Sequence, residues 1–290
     1  MNKIFISLMF FSALLMTACS EDEPEVGFTN PSDNFIPAAD DHSFSAELRR
    51  SFKEQTGSYL LFSDTLQHKF LGVNINGDSI FFTEQLDPTY IVGQSNSSNS
   101  KYRFTNLEND EQKQMAVDFV KEQILPHVTN KLIPYSWFLC KGIKADTNAA
   151  QDATVYTASG QRCIVISFNL LLRKKPIDKT VYANTVLQEI IGQLAVNNMD
   201  AFKDFLAYCK PYYGQNLPEE DLNKDDFLKM GFKSSPTISF PNQEDDLKDF
   251  VSSILANSQE EIEKEYADYP IILEKFRIAK ETLVKLGYKF

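Results

Sequence analysis

The sequence predicts a single α+β domain, because its β-rich segments come first along the chain and its helical segments follow. The chain has 290 residues, of which 43% are apolar, and this is enough to fill a real core. Asn76-Gly77 lies between two β-rich arms, which is a strong hairpin signal, so we expect antiparallel sheet in the first half. No internal repeat and no boundary interrupts residues 41–290, which we therefore predict to be one domain.

In the first half we expect two helices, one strand and the hairpin. The second helix has its apolar residues at the spacing of a helix that lies on a core, and His127 falls in its last turn. A capping or surface role is the simplest reading of that histidine. The predicted elements are a helix at Ser45–Glu54, a strand at Ser58–Asp64, a loop at Gly93–Lys101 and a helix at Asp110–Asn130.

In the second half two β-rich segments flank a loop with a turn at residues 158–160, and helices follow. Four prolines between residues 211 and 241 predict an irregular stretch that interrupts the helices. The predicted strands are Tyr135–Ile143 and Arg162–Asn169, and the predicted helices are Thr185–Val196, Ala201–Cys209, Glu244–Asn257, Gln259–Asp268 and Ile271–Leu286.

The N-terminus resembles a bacterial lipoprotein signal. Lys3 and an apolar run from Ile4 to Met16 precede Thr17-Ala18 and then Cys19, so we predict a signal peptide at residues 1–18 and acylation of Cys19. Met16 stands where leucine is commonest, and the alternative is a plain signal peptide with a chance cysteine. The acidic run 20–26 resembles the export signal that places Bacteroidetes lipoproteins on the cell surface, although it also reads as a solvated spacer. Residues 19–40 are predicted to be a flexible acidic tether.

Composition excludes some classes of function. A formal charge of −11 offers no basic stripe to nucleic acid. Cys140, Cys163 and Cys209 lie in apolar segments without CxxC spacing, so we expect buried free thiols and neither disulfides nor a thiolate metal site. There is also no G-x-S-x-G motif and no Gly-rich phosphate loop.

The helix around residues 185–196 carries a polar interruption in its apolar stripe. Gln188 and Gly192 lie one turn apart, as the two histidines of an H-E-x-x-H zinc-protease helix do, and Glu189 stands where the general base of that motif would be. The apolar stripe that faces the core is Ala183, Val186, Leu187, Ile190, Ile191 and Leu194.

The order of segments over residues 45–288 resembles a family of Bacteroidetes lipoproteins known as zinc-binding metallopeptidases associated with substrate import. The resemblance rests on "YTASGQRCIVISFN" before the helix and "KMGFKSS" after it, and then on "EDDLKDF" and "YPIILEKFRIAKETLVK". It implies a zincin-like fold, an outer-membrane location at the cell surface and an import complex, peptide or glycan as partner.

The sharp motif of that family is broken in this chain. Gly192 offers no ligand atom and Gln188 offers only a neutral amide, so we expect no metal cofactor and a vestigial Glu189. The chain would bind zinc, as the resemblance implies, only if other residues supplied the ligands. A replacement set would combine His42, His68 and His127 with Asp245, Asp246 or Asp249.

Three functions follow as hypotheses. The first is an inactive metallopeptidase homologue, anchored by lipid at the cell surface, that binds a ligand or a transporter component. The second is an active zinc metallohydrolase with non-standard ligands, and the third is a purely structural or interaction lipoprotein. Tyr212 and Tyr213 are candidate binding residues, and the Asn/Ser loop at 94–100 is a candidate surface, although a tyrosine pair beside Pro211 also suits packing at a turn.

Overall fold

Nine strands form three separate sheets in the part of the chain that the computed structural model describes, which is residues 33–88, 101–146, 154–160, 162–218 and 222–290. In chain order the strands are β1 (Tyr59–Leu61), β2 (Thr65–Val73), β3 (Ser79–Gln85), β4 (Lys101–Thr105), β5 (Ser136–Cys140), β6 (Gly142–Asp146), β7 (Thr154–Val155), β8 (Thr157–Ser159) and β9 (Cys163–Ser167). The central sheet has the order β1-β5-β9-β8, β2 pairs with β3, and the third sheet is β4-β6-β7.

The central sheet is mostly parallel, a feature that the sequence did not predict; the antiparallel sheet expected in the first half is present beside it. β1, β5 and β9 run parallel, and only the edge strand β8 runs antiparallel to its neighbour. Parallel pairing needs a long connection between strands, and more than 70 residues, including a helix at Asp110–Phe119, separate β1 from β5. The predicted hairpin at Asn76-Gly77 is confirmed as β2–β3, and the sheet β4-β6-β7 is also antiparallel.

The helices follow the predicted order, and most bounds agree within a few residues. The segment Asp110–Asn130 is α-helical only to Phe119 and then continues as a π turn and a 3-10 turn that ends at His127. The α-helices are α1 (Phe44–Thr56), α2 (Asp110–Phe119), α3 (Asn169–Leu172), α4 (Lys179–Asn197), α5 (Lys203–Ala207), α6 (Lys224–Met230), α7 (Gln243–Ala256), α8 (Gln259–Glu265) and α9 (Pro270–Leu286). No helix among these described residues is long and apolar enough to cross a membrane.

The folded domain starts earlier than the predicted boundary at residue 41. Phe35–Phe290 forms one compact unit, which agrees with a single α+β domain. Phe35 is buried, its ring packs against Tyr59 and Tyr135, and its carbonyl accepts a hydrogen bond of 2.8 Å from Arg49 Nη2. The last residues of the predicted tether 19–40 therefore belong to the domain. The loop predicted at residues 93–101 lies outside the described residues except for Lys101, which begins β4.

Two cores lie on opposite faces of the central sheet because successive side chains of a strand point to opposite sides. On β5, Trp137 and Leu139 join the larger cluster with the helices, whereas Phe138 and Cys140 join a second cluster. The predicted burial of Cys140, Cys163 and Cys209 as free thiols is confirmed. Burial raises the pKa of Cys163 to about 12, so this thiol stays protonated and inert.

A buried lysine joins the helices of the second half. Lys275 of α9 is completely buried, and its ammonium lies 2.7 Å from Asp246 Oδ2 of α7. It also donates to the carbonyl of Gly231 at 2.7 Å and to Cys209 Sγ at 3.3 Å. A fully satisfied set of partners is what makes a buried charge tolerable.

The burial of Asp246 is balanced by the same network. Desolvation raises the pKa of the Asp246 carboxyl, while the Lys275 ammonium and a hydrogen bond of 2.6 Å from the Tyr213 hydroxyl act in the opposite direction. The Lys275 ammonium also faces the rings of Phe205 and Phe250, at 4.5 Å and 4.4 Å from their centroids. The ion pair is thus enclosed by aromatic rings.

We expect Lys275→Met to lower the free energy of unfolding by about 3–5 kcal/mol, because the carboxyl of Asp246 would be left buried without its counter-charge. Lys275→Met combined with Asp246→Leu should recover more than half of that loss, since no lone charge remains. Urea unfolding measures both. Lys229→Met, which removes an exposed ion pair with Asp225, is the matched control and should change stability little. A single variant as stable as the wild type would show that the pair is not a constraint on the fold.

Candidate functional site

Helix α4 carries the candidate site, and it is longer than the predicted Thr185–Val196. Asp178 caps its N-terminus, because the Asp178 carboxylate accepts hydrogen bonds from the backbone N–H groups of Thr180 and Val181, at 2.8 Å and 3.1 Å. The predicted apolar stripe packs into the main core; Ala183, Val186, Leu187, Ile190 and Ile191 are buried and Leu194 is partly buried.

Gln188 and Gly192 lie on the side of α4 that approaches helix α7. Gly192 is buried, and a Cβ built at this position would lie 3.9 Å from Cγ of Lys248 on α7. Gln188 is half-buried. A histidine at position 192 would therefore meet a cationic side chain, and the present residues supply only one neutral amide to this side of the helix. This donor set does not fit zinc, which takes three protein ligands in catalytic sites.

Glu189 faces a different neighbour, the edge strand β8. The Thr157 hydroxyl donates a hydrogen bond of 2.6 Å to Glu189 Oε2. The residue as a whole remains open to solvent, yet burial of the carboxyl group raises its pKa, with the hydrogen bonds from Thr157 acting in the opposite direction. Glu189 is thus a positioned acceptor, held between helix and sheet.

Tyr182 lies about two helical turns before Glu189 and is buried. Its hydroxyl donates to the backbone carbonyl of Ser167 at the end of β9, and its ring meets Tyr156 edge-on at 6.2 Å. Burial raises the pKa of Tyr182, and the charge of Glu189 adds to this effect. Tyr182 therefore stays neutral and serves to fix α4 against the sheet.

The replacement metal ligands considered from the sequence do not converge. Among the residues that the structure describes, no group of three His, Cys, Asp or Glu side chains is arranged to hold a metal ion. His68 stacks on Phe81 in the hairpin, and Nδ1 of His127 lies 3.1 Å from the carbonyl of Lys289. Asp246 is committed to Lys275, and Asp249 pairs with Lys233 at 3.0 Å. His42 and Asp245 are exposed.

A cleft of about 260 Å³ is lined by residues of α4 and β8 that follow Glu189 and Thr157 in the sequence. Gln193, one helical turn after Glu189, lines it, and so does Ser159, which points to the same side of β8 as Thr157. Its other walls are mainly apolar, from the C-terminal half of α4, from β5 and β9 and from the segment before β5. They include Leu187, Ile190, Leu194, Pro134, Trp137 and Ile164.

A second cavity, of about 270 Å³, shares no lining residue with this cleft. It lies between Ala201 and Asp204 on one side and the exposed face of α9 on the other. Arg277 and Glu281, which line it, pair with each other at 2.6 Å. The cleft at α4 and β8 is the better candidate, because apolar walls and a few polar groups are typical of ligand sites.

Tyr212 and Tyr213, the candidate binding residues from the sequence, pack into a small aromatic cluster with Phe232 and Phe240. The hydroxyl of Tyr213 is already used as a donor to Asp246. Both side chains are half-buried. Packing accounts for both rings, and a binding role for them stays a prediction. The Asn/Ser loop at 94–100 lies outside the described residues.

Thr157 and Ser159 are the site residues that the sequence analysis did not single out. The only signal was the turn at residues 158–160, because a three-residue edge strand is too short to show alternation. Comparison of the chain with protein-family models, with curated proteins and with solved structures found no match.

We expect Glu189→Gln to stabilise the protein at pH 7, by no more than about 1 kcal/mol because the side chain is partly solvated. The folded pKa of Glu189 lies above the unfolded value, so the folded state holds the proton more tightly. The tighter proton binding of Glu189 therefore stabilises the folded state fully at pH values below the unfolded pKa. This contribution to the free energy of unfolding is lost as the pH rises through the folded pKa. The gain from Glu189→Gln should vanish below about pH 4. Thermal unfolding from pH 3.5 to 8 measures it, and an equal gain at both ends would contradict the assignment.

Proposed function

We propose that this chain is a surface-anchored lipoprotein with a zincin-like fold that binds a ligand in the cleft between α4 and β8 and does not hydrolyse it through a metal. The main support for this proposal is that α4 has different neighbours on two of its sides. Thr157 holds Glu189 one helical turn before Gln193, which lines an apolar cleft, while Gln188 and Gly192 face α7 without a usable donor set. The resemblance to import-associated metallopeptidases supports the same reading, with an outer-membrane import complex as the setting.

The chemistry of the cleft favours an extended peptide as ligand. β8 is one of the two edge strands of the central sheet in the described part of the chain, and an extended peptide can add to such an edge through main-chain hydrogen bonds. The apolar walls would take one apolar side chain. The Glu189 carboxylate, one helical turn before Gln193 of the cleft, would favour a basic group on the same peptide.

Metal content is the first measurement. We expect substoichiometric zinc, and no tight titration, for the mature chain purified without chelator, because the residues at the expected positions do not supply three ligands. Mass spectrometry of the intact native protein measures the ratio of metal to chain. One tightly held zinc per chain would contradict the proposal and favour the active metallohydrolase with other ligands.

Ligand binding is tested by filling the cleft. Ser159→Phe should weaken binding of capped pentapeptides that contain lysine and leucine at least tenfold, because the new ring would occupy the cleft. The matched control is Thr105→Phe, which places the same ring on β4, an edge strand of another sheet. Isothermal titration measures the dissociation constants. Equal binding by both variants would remove the cleft as the site, and absence of binding by the wild type would favour the structural lipoprotein.

Anchoring is tested at Cys19. We expect the mature chain to begin at Cys19 and to carry acyl groups, so its mass should exceed that of residues 19–290. Cys19→Ala should move the protein out of the membrane fraction. Mass spectrometry and fractionation measure these outcomes, and an unmodified cysteine in a soluble protein would show that the signal is a plain one.

A further inference from the structure

The hairpin β2–β3 exposes an unusual amount of apolar surface. Ile75 at its turn is fully exposed, with a relative accessibility of 101%. Six other large apolar residues of the hairpin are each about half exposed, namely Phe70, Leu71, Val73, Ile80, Phe81 and Phe82. Contiguous apolar patches on a soluble protein mark interaction sites, so this hairpin requires a partner.

The apolar side chains occupy both faces of the hairpin. Phe70 and Phe81 are opposite each other on one face, with ring centroids 5.5 Å apart. Phe82, opposite Lys69, and Ile80 point to the other face. A lipid phase would cover the apolar side chains of both faces at once.

The hairpin carries few charged residues. Asp78 is the only charged residue from Phe70 to Phe82, and its carboxylate accepts a hydrogen bond of 3.0 Å from the Asn74 amide. The residues that carry charge near the base are Asp64, Lys69 and Glu84. The stretch from Phe70 to Phe82 is therefore mainly apolar along its strands, whereas the turn around Ile75 holds the one charge and the polar side chains of Asn74 and Asn76.

The turn at the tip is held rigidly. The Asn74 side-chain oxygen accepts hydrogen bonds from the backbone N–H groups of Asn76 and Asp78, at 2.9 Å and 2.8 Å. Gly77 has a φ of +87°, a conformation that favours glycine. The backbone of this turn is already ordered and holds Ile75 pointing outward. Little conformational entropy is therefore lost when a partner buries the Ile75 side chain.

The base of the hairpin shares a core cluster with the residue where the chain enters the domain. Leu86 and Leu66 pack in the same cluster as Phe35. Residues 20–34 connect Phe35 to Cys19, and 15 residues reach at most about 50 Å. A lipid on Cys19 would therefore hold this end of the domain close to a bilayer and raise the effective concentration of the tip at its surface.

We propose that the hairpin tip, centred on Ile75, inserts into the interface of a lipid bilayer as a second membrane contact beside Cys19. The inference rests on the proposed anchoring, since it needs the domain to be held at a membrane. The outer edges of β2 and β3 carry backbone groups without strand partners in the described residues, and such groups do not enter hydrocarbon. Insertion therefore stops at the interface and involves the turn and its flanking Val73 and Ile80.

The test compares Ile75→Trp with Ile238→Trp. Ile238 is an isoleucine outside the hairpin that is 80% exposed, and the native Trp137 is buried, so the new tryptophan dominates the response in each variant. The mature chain, residues 19–290, is coupled through Cys19 to a maleimide phospholipid in phosphatidylcholine vesicles. The other three cysteines are buried, so coupling is selective. Phosphatidylcholine brominated on its acyl chains is the quencher.

We expect the emission of Ile75→Trp to shift to the blue and to be quenched at least twofold more than that of Ile238→Trp. Equal quenching of the two variants would overturn the proposal. A blue shift that follows protein concentration without lipid would assign the hairpin to a second copy of the chain and would also overturn it. Chemical coupling makes the test independent of natural acylation, so failure of the anchor and failure of the hairpin are distinguishable.

Discussion

The buried ammonium of Lys275 is the constraint on which the second half of the molecule depends. Removing an ammonium from water is so unfavourable that its partners must meet it in one geometry. Those partners are the Asp246 carboxylate, the Gly231 carbonyl and the Cys209 thiol. The ion pair joins α7 to α9 at one register, because its two charged groups meet in no other.

Gly231 shows how closely that geometry is specified. Its φ of +96° is in the left-handed region, and a Cβ at this position would lie 2.7 Å from Ile271 Cγ2. The segments "KMGFKSS", "EDDLKDF" and "YPIILEKFRIAKETLVK" thus each contribute one member of a single buried cluster. In the sequence they are three separate motifs, and in the structure they are one unit.

The candidate site depends on the same frame, because α7 is the helix that covers the Gly192 side of α4. β8 and the cleft lie on another side of α4, and Glu189 meets β8 there through Thr157. The positions Gln188 to Gly192, which span one turn of α4, therefore have two environments. Gly192 packs against α7, and the Glu189 carboxylate is open to solvent. This division would let the glutamate serve the proposed ligand binding while Gly192 packs against α7.

The hairpin depends on a separate core. Its base packs with Phe35 on the far face of the central sheet, away from the cluster that holds α4. Apolar residues on both of its faces and at its turn have no place in either core. The ligand binding and the membrane contact that we propose thus lie on opposite faces of the central sheet.

The sequence by itself determined the α+β class, the hairpin at Asn76-Gly77, the apolar stripe of α4 and the burial of the three thiols, because each follows from local periodicity or turn chemistry. It located α7 and α9 within two residues, since both have strong apolar spacing and clear ends. Tertiary structure alone decided that the central sheet is mostly parallel, that Phe35 belongs to the domain, and that Lys275 is buried against Asp246. It also decided that Thr157 holds Glu189. These features depend on contacts between residues that lie far apart in sequence, and no local pattern encodes which distant partner a strand or a charge will meet.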